Sequence, residues 1–127
     1  MDIMNIVLWI VQILLAVAFL LTGVNHAFRT AQIRSQQGMS WVAAVPSPLM
    51  TFIGISEILG ALGLVLPALT GAWTWLTPLA ALGLAIIQAL AIGFHVRRNE
   101  TQNIIANFIL LVLAAFVAYG RWIIVPF

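Results

Sequence analysis

The side chains able to do chemistry in this 127-residue chain are few, and most of them fall inside apolar runs. Gln12 and His26 lie in one run, Glu57 in a second, Gln88 and His95 in a third, and Asn103 and Asn107 open a fourth. A polar group in hydrocarbon is costly unless it has a partner or a task. Imidazole and carboxyl groups take and release protons and hydrogen-bond a carbonyl or hydroxyl, and carboxamides orient such a ligand. The chain has no cysteine, which excludes thiol–disulfide chemistry, thiolate metal sites and iron–sulfur clusters. Any redox chemistry would depend on a bound group.

Spacing gives these residues faces. Gln12, Ala16, Phe19, Gly23 and His26 recur at the 3–4 spacing of one helix face, as do Gln88, Ala91 and His95. Both histidines stand at the same end of their runs, and Asn103 and Asn107 start from that end too. Counted at 1.5 Å per residue, Glu57 lies about 14 Å into its run, roughly two turns deeper than the histidines. With all stripes turned inward, His26, Glu57, Gln88, His95, Asn103 and Asn107 line a polar funnel that narrows toward Glu57. The other half of the bundle offers Gln12, Thr74 and Thr77. A cavity open near one interface, with apolar walls and selected polar points, suits an amphiphile with a polar head rather than a passing ion.

Each of these residues also has a plainer role. Glu57 can hydrogen-bond Gln88 or a backbone carbonyl to hold the bundle, each histidine can sit solvated near an interface, and Asn103 and Asn107 can serve as a cap and as inter-helix glue. Two imidazoles and a carboxylate are a legitimate metal ligand set, but the extra depth of Glu57 argues against a metal centre. Clamping a haem would call for more small residues around the histidines.

The elements that must position these groups follow from composition. The chain is 64% hydrophobic and 6% charged, with a mean hydropathy of +1.15, far from the soluble norm of roughly half apolar and a quarter charged. Four runs of about the ~20 residues that a spanning helix needs occur at about 3–27, 48–66, 73–96 and 103–125. They are continuous, unlike the alternating segments of a membrane barrel. The expectation is one all-α integral membrane domain over 1–127, an antiparallel up-down four-helix bundle. The N-terminal run is too long for a signal peptide and lacks its basic start, so it reads as a retained span.

The connections 28–47 and 97–102 share one side and carry Arg29, Arg34, Arg97 and Arg98, against Arg121 on the other. The positive-inside rule places both connections in the cytoplasm and both termini outside. Arg97 and Arg98 read as topology determinants, with lipid phosphate as a second role. Trp73, Trp75 and Trp122 would mark the outer interface and Trp41 the inner one. The turn at 67–72 reads as a Pro/Gly break, and the stretch 31–45 as a short interfacial helix or loop. Gly54, Gly60 and Gly63 let helices approach closely. The net charge of +2 reflects scarce acids rather than a basic surface, so nucleic acid is not an expected partner.

The runs GVNHAF at 23–28, FIGISEILGALGLVLP at 52–67 and GFHVRRNE at 93–100 resemble the DoxX-like family of small four-helix bacterial membrane proteins. The most specific parts are E-I-x-G-A-x-G-L-x-L-P from Glu57 to Pro67 and H-x-x-R from His95 to Arg98. The resemblance implies a four-helix bundle in the bacterial inner membrane, associated with quinone-linked or sulfur-linked oxidoreductase systems, with recurrent polar residues at His26, Glu57 and His95. Without cysteines the thiol branch does not fit this chain. Three readings remain open: a protein that binds a quinone or lipid-like hydrophobic ligand in support of a membrane redox system, a non-catalytic accessory subunit on a larger membrane complex, and a transporter or channel. No catalytic residue is assigned, and the chain is expected to assist an enzyme rather than be one.

Overall fold

A computed structural model describes residues 2–30 and 40–127. Four helices carry the chain back and forth: α1 (Ile3–Phe28), α2 (Ser47–Thr70), α3 (Leu76–Arg97) and α4 (Thr101–Tyr119), the last prolonged by a π-helical turn, Gly120–Ile124. A 3₁₀ turn, Ser40–Ala44, precedes α2. Each helix packs chiefly on its neighbour in sequence, α1 on α2 and α3 on α4 most extensively, and α1 meets α4 to close the ring. All four are long and apolar enough to cross a membrane, with mean hydropathy of 2.1 to 2.6, yet only 22% to 33% of those stretches is buried. Large apolar side chains such as Leu14, Phe52, Leu90 and Phe108 face outward. A helix that is apolar all round with most of its surface uncovered needs lipid as its solvent.

Local signals account for the helix ends. The Asp2 carboxylate caps α1 by accepting from the Met4 N–H at 3.2 Å, and proline at the first turn opens α2. Gly71, at φ 75°, ends α2 in the left-handed conformation that glycine adopts without steric cost. Asn99 adopts φ 56° in the tight turn between α3 and α4, a conformation asparagine tolerates better than most residues.

The expected break at Pro67 does not occur: α2 runs through it to Thr70. Proline has no N–H, so the carbonyl of Gly63, four residues earlier, loses its helical donor. The Thr77 hydroxyl of α3 donates to that carbonyl at 3.0 Å, and the Gln12 carboxamide of α1 donates to the next one, Leu64 O, at 2.7 Å. Neighbouring helices thus satisfy the carbonyls around the proline, as Pro-containing spans require in lipid. The third helix accordingly starts later than expected, at Leu76.

The glycines divide by face. A Cβ on Gly54 would lie 2.4 Å from Ala27 N and 2.6 Å from Gly23 O, so α1 and α2 touch backbone to backbone there. A Cβ on Gly60 would meet the Leu84 side chain at 2.6 Å and one on Gly63 would meet Ala80 at 2.8 Å, both on α3. The core between them is made of Leu15, Phe19, Ala61, Leu64, Leu84 and Val117, with smaller residues filling in.

Candidate functional site

The Gly23–Gly54 crossing sits one turn from a buried polar pair. His26 follows Gly23 by three residues and Glu57 follows Gly54 by three, so each polar side chain stands one turn beyond its glycine, on the same helix face. A hydrogen bond of 2.7 Å joins His26 Nδ1 to Glu57 Oε1, with both side chains almost wholly buried.

Glu57 therefore meets His26 across the crossing from about one turn deeper, not two, as counting along each run had suggested. The ends of α1 and α2 are not flush. Because Ala27 faces Gly54, the seven residues from Ser47 to Gly54 carry α2 about 10 Å past that level.

The second histidine makes a matching pair with a different acid. His95 Nδ1 is 2.8 Å from Glu100 Oε1, and Arg98 Nε donates to the same oxygen at 3.1 Å. The left-handed turn at Asn99 folds Glu100 back over the end of α3, where its N–H bonds His95 O at 3.1 Å. Burial raises the Glu100 carboxyl, but the hydrogen bonds from His95 and Arg98, together with their charges, outweigh it and hold the group below its ordinary value. Arg98 also lies 5.6 Å from the Phe94 ring centre.

Trp41 bridges the two pairs. Its indole packs edge-on against His26 at 5.6 Å, His95 at 5.1 Å and Phe94 at 6.2 Å. It is held there by the 3₁₀ turn, whose Val42 is fully buried against Met50 of α2. Sequence alone suggested an interfacial belt for Trp41. The structure packs it, half-buried at the bundle end, against both histidines, a contact whose only sequence signal was an aromatic residue close before the second span. Of the stretch 31–45, residues 31–39 lie outside the described residues. Both imidazoles are oriented through Nδ1 by a carboxylate, which leaves Nε2 of each as the nitrogen available to a third group.

Among the described residues, two buried atoms at this end lack a hydrogen-bond partner, the Trp41 Nε1–H donor and the Gln88 Oε1 acceptor. Gln88 is 3% exposed on α3, two turns from His95. Asn103 and Asn107 are half-buried on α4. Of the six expected residues, the structure thus joins His26 to Glu57, brings His95 near through Trp41, buries Gln88, and leaves the asparagines at the margin. Among the described residues, no three of His, Asp or Glu gather closely enough to hold a metal ion.

A groove of about 340 Å³ runs between α2 and α3. It begins at Ser56 and Ile87, the neighbours of Glu57 and Gln88, and continues past Gly60, Gly63 and Ala80 to Leu76. Its walls are almost entirely apolar.

The opposite end is not the nearly apolar region expected. Arg121 is buried there, its Nε donating to Gln12 Oε1 at 2.7 Å and its Nη1 to Asn5 Oδ1 at 2.7 Å and Val125 O at 3.1 Å. Taken alone, an arginine at the end of a last span looks like a topology signal, and only the π-helical turn directs it inward. Trp73, Trp75 and Trp122 are exposed at this end, where an aromatic belt was expected.

No curated protein and no solved structure matched the chain. Residues 10–117 match the DoxX-like family, a span that includes His26, Glu57, Trp41, Gln88 and His95 and most of all four helices. This chain is therefore a small integral membrane protein of the DoxX-like family.

Proposed function

We propose that the chain binds the polar head of a quinone-like hydrophobic ligand at the Trp41 end of the bundle, in support of a membrane redox system. The observation that carries this reading is the pair of carboxylate-oriented imidazoles, His26–Glu57 and His95–Glu100, on either side of an indole whose N–H is unpartnered. A quinone head presents carbonyl oxygens that accept from such donors, and its reduced form presents hydroxyls that can also donate to Gln88 Oε1. Bound there, a quinone would supply the two-electron chemistry. The residues of this chain would orient its oxygens and hold or release protons at Nε2 of His26 and His95. Asn103 and Asn107 would widen the polar rim. The apolar groove between α2 and α3 starts one residue from both Glu57 and Gln88 and offers a course for a hydrocarbon tail.

The four arginines of the two connections at this end support a cytoplasmic placement, with both termini on the other side of a bacterial inner membrane. Organic extraction of the purified protein followed by mass spectrometry should release a quinone or related lipid in stoichiometric amount. Glu57→Gln and His95→Ala should each weaken its binding by about 1 kcal/mol or more, roughly five-fold. Unchanged binding in both variants overturns the reading.

A second reading is favoured by the small residues of the same groove. Gly60, Gly63 and Ala80 form the kind of surface against which another membrane helix packs closely, as in an accessory subunit of a larger membrane complex. It requires co-purification with a larger assembly whose activity is indifferent to Glu57→Gln.

A further inference from the structure

At the end of the bundle that carries both termini, the protein buries a cation without neutralising it. Arg121 is 2% exposed, and the acceptors of its hydrogen bonds, Gln12 Oε1, Asn5 Oδ1 and Val125 O, are all uncharged. Its remaining nitrogen, Nη2, is buried and makes no hydrogen bond among the described residues. Among the described residues, the ion pairs all lie at the other end, and Asp2, the acidic side chain at this end, caps α1. The guanidinium carbon lies 4.1 Å from the Phe127 ring centre and 5.9 Å from that of Trp9. These aromatic faces soften the charge without balancing it.

An arginine near the end of a span ordinarily extends its head to the interface. Arg121 is turned the other way by the wide turn at Gly120–Ile124, an arrangement that recurs at functional sites. The turn fits because residue 120 has no side chain: a Cβ there would meet Leu8 at 2.5 Å. Arg121 also contributes to the wall of a cavity of about 170 Å³, together with Thr74, Trp75, Pro78, Trp122 and Phe127. A water occupies about 30 Å³ in the liquid, so the cavity has room for an oxyanion. Its walls combine a hydroxyl and indoles with apolar surface.

We propose that this cavity is a receptor for a phosphate oxyanion drawn by the unbalanced charge of Arg121 in its wall, and that the phosphate is presented by an anionic phospholipid of the adjoining leaflet. Arginine's fork-shaped donor set matches phosphate oxygens. The exposed indoles of Trp75 and Trp122 at the cavity's rim set it at the height of lipid headgroups. The site is separate from the histidine pairs and stands whether or not a quinone binds there.

Thermal unfolding of the full chain in an uncharged detergent tests this, with dioleoyl-phosphatidylglycerol, dioleoyl-phosphatidylcholine, or inorganic phosphate against chloride at equal ionic strength. Phosphatidylglycerol should raise the midpoint saturably by several degrees, beyond the other additives. Arg121→Lys, which keeps the charge and loses the fork, should move half-saturation at least ten-fold. Thr74→Leu, which narrows the cavity without touching Arg121, should abolish the lipid effect and leave the lipid-free midpoint almost unchanged. An equal shift with inorganic phosphate overturns the lipid as source and leaves a free-anion site. Equal shifts with all additives, or a phosphatidylglycerol effect that survives both substitutions, overturn the receptor itself.

Discussion

The two ends of this bundle solve the problem of polar groups in lipid differently. At the Trp41 end, each histidine faces an acid: His26 faces Glu57, and His95 shares Glu100 with Arg98. At the Arg121 end, one charge is held only by carboxamides and a carbonyl. Paired acids and bases can pass a proton between them without leaving a net charge stranded in low dielectric. A permanently charged guanidinium among neutral dipoles cannot release its proton, and it keeps its attraction for an anion. One end pairs its charges, and the other keeps a fixed charge that no acid balances.

The sharpest way to break the first end is to part the backbones that assemble it. Gly54→Val should destabilise the bundle by about 3 kcal/mol or more, since its Cβ would fall within the Ala27 and Gly23 backbone. Gly83→Val, where a Cβ meets nothing within 4 Å, should stay within about 0.5 kcal/mol. Unfolding in detergent measures both, and similar values would show that the α1–α2 contact does not hold the histidine pair. The second end should respond to Gln12→Leu, which strips a donor from Leu64 O and an acceptor from Arg121 Nε. The expected loss is about 2–3 kcal/mol, as two buried groups lose their partners. A neutral result would mean that the guanidinium finds another acceptor.

The smallest effect is a dependence on pH confined to the first end. The Glu100 carboxyl is held below its ordinary value of 4.5 in the folded chain. Its ionised form therefore stabilises the fold above about that value, and the contribution is lost as pH falls through the lower folded value. For a pair near the surface this amounts to about 1 kcal/mol or less. Glu100→Gln should flatten the acid limb of the stability profile, and an unaltered limb would exclude the His95–Glu100 contact as its source.

Much of this molecule was legible before any coordinate. The four spans, their up-down order and the inward facing of His26, Glu57 and His95 follow from apolar runs and helical spacing, because in lipid a helix must be continuous and a polar side chain must face inward. Pro67 misled, since whether a proline ends a helix depends on whether other helices can satisfy the carbonyls it frees. Here Thr77 does so, and Gln12 donates to the carbonyl beside it. The depth of Glu57 misled because a run of residues measures position along its own axis and carries no information about how far one helix slides past another.

Sequence by itself determined the solvent, the number of crossings and the stock of chemical groups, because these depend on composition and on the fixed rise of a helix. Only the tertiary structure decided which group meets which. It set Glu57 against His26 through a glycine crossing, inserted Trp41 between two histidines, and turned Arg121 inward at a widened turn. Those choices rest on backbone approach and register between helices, which packing settles and the local sequence does not encode.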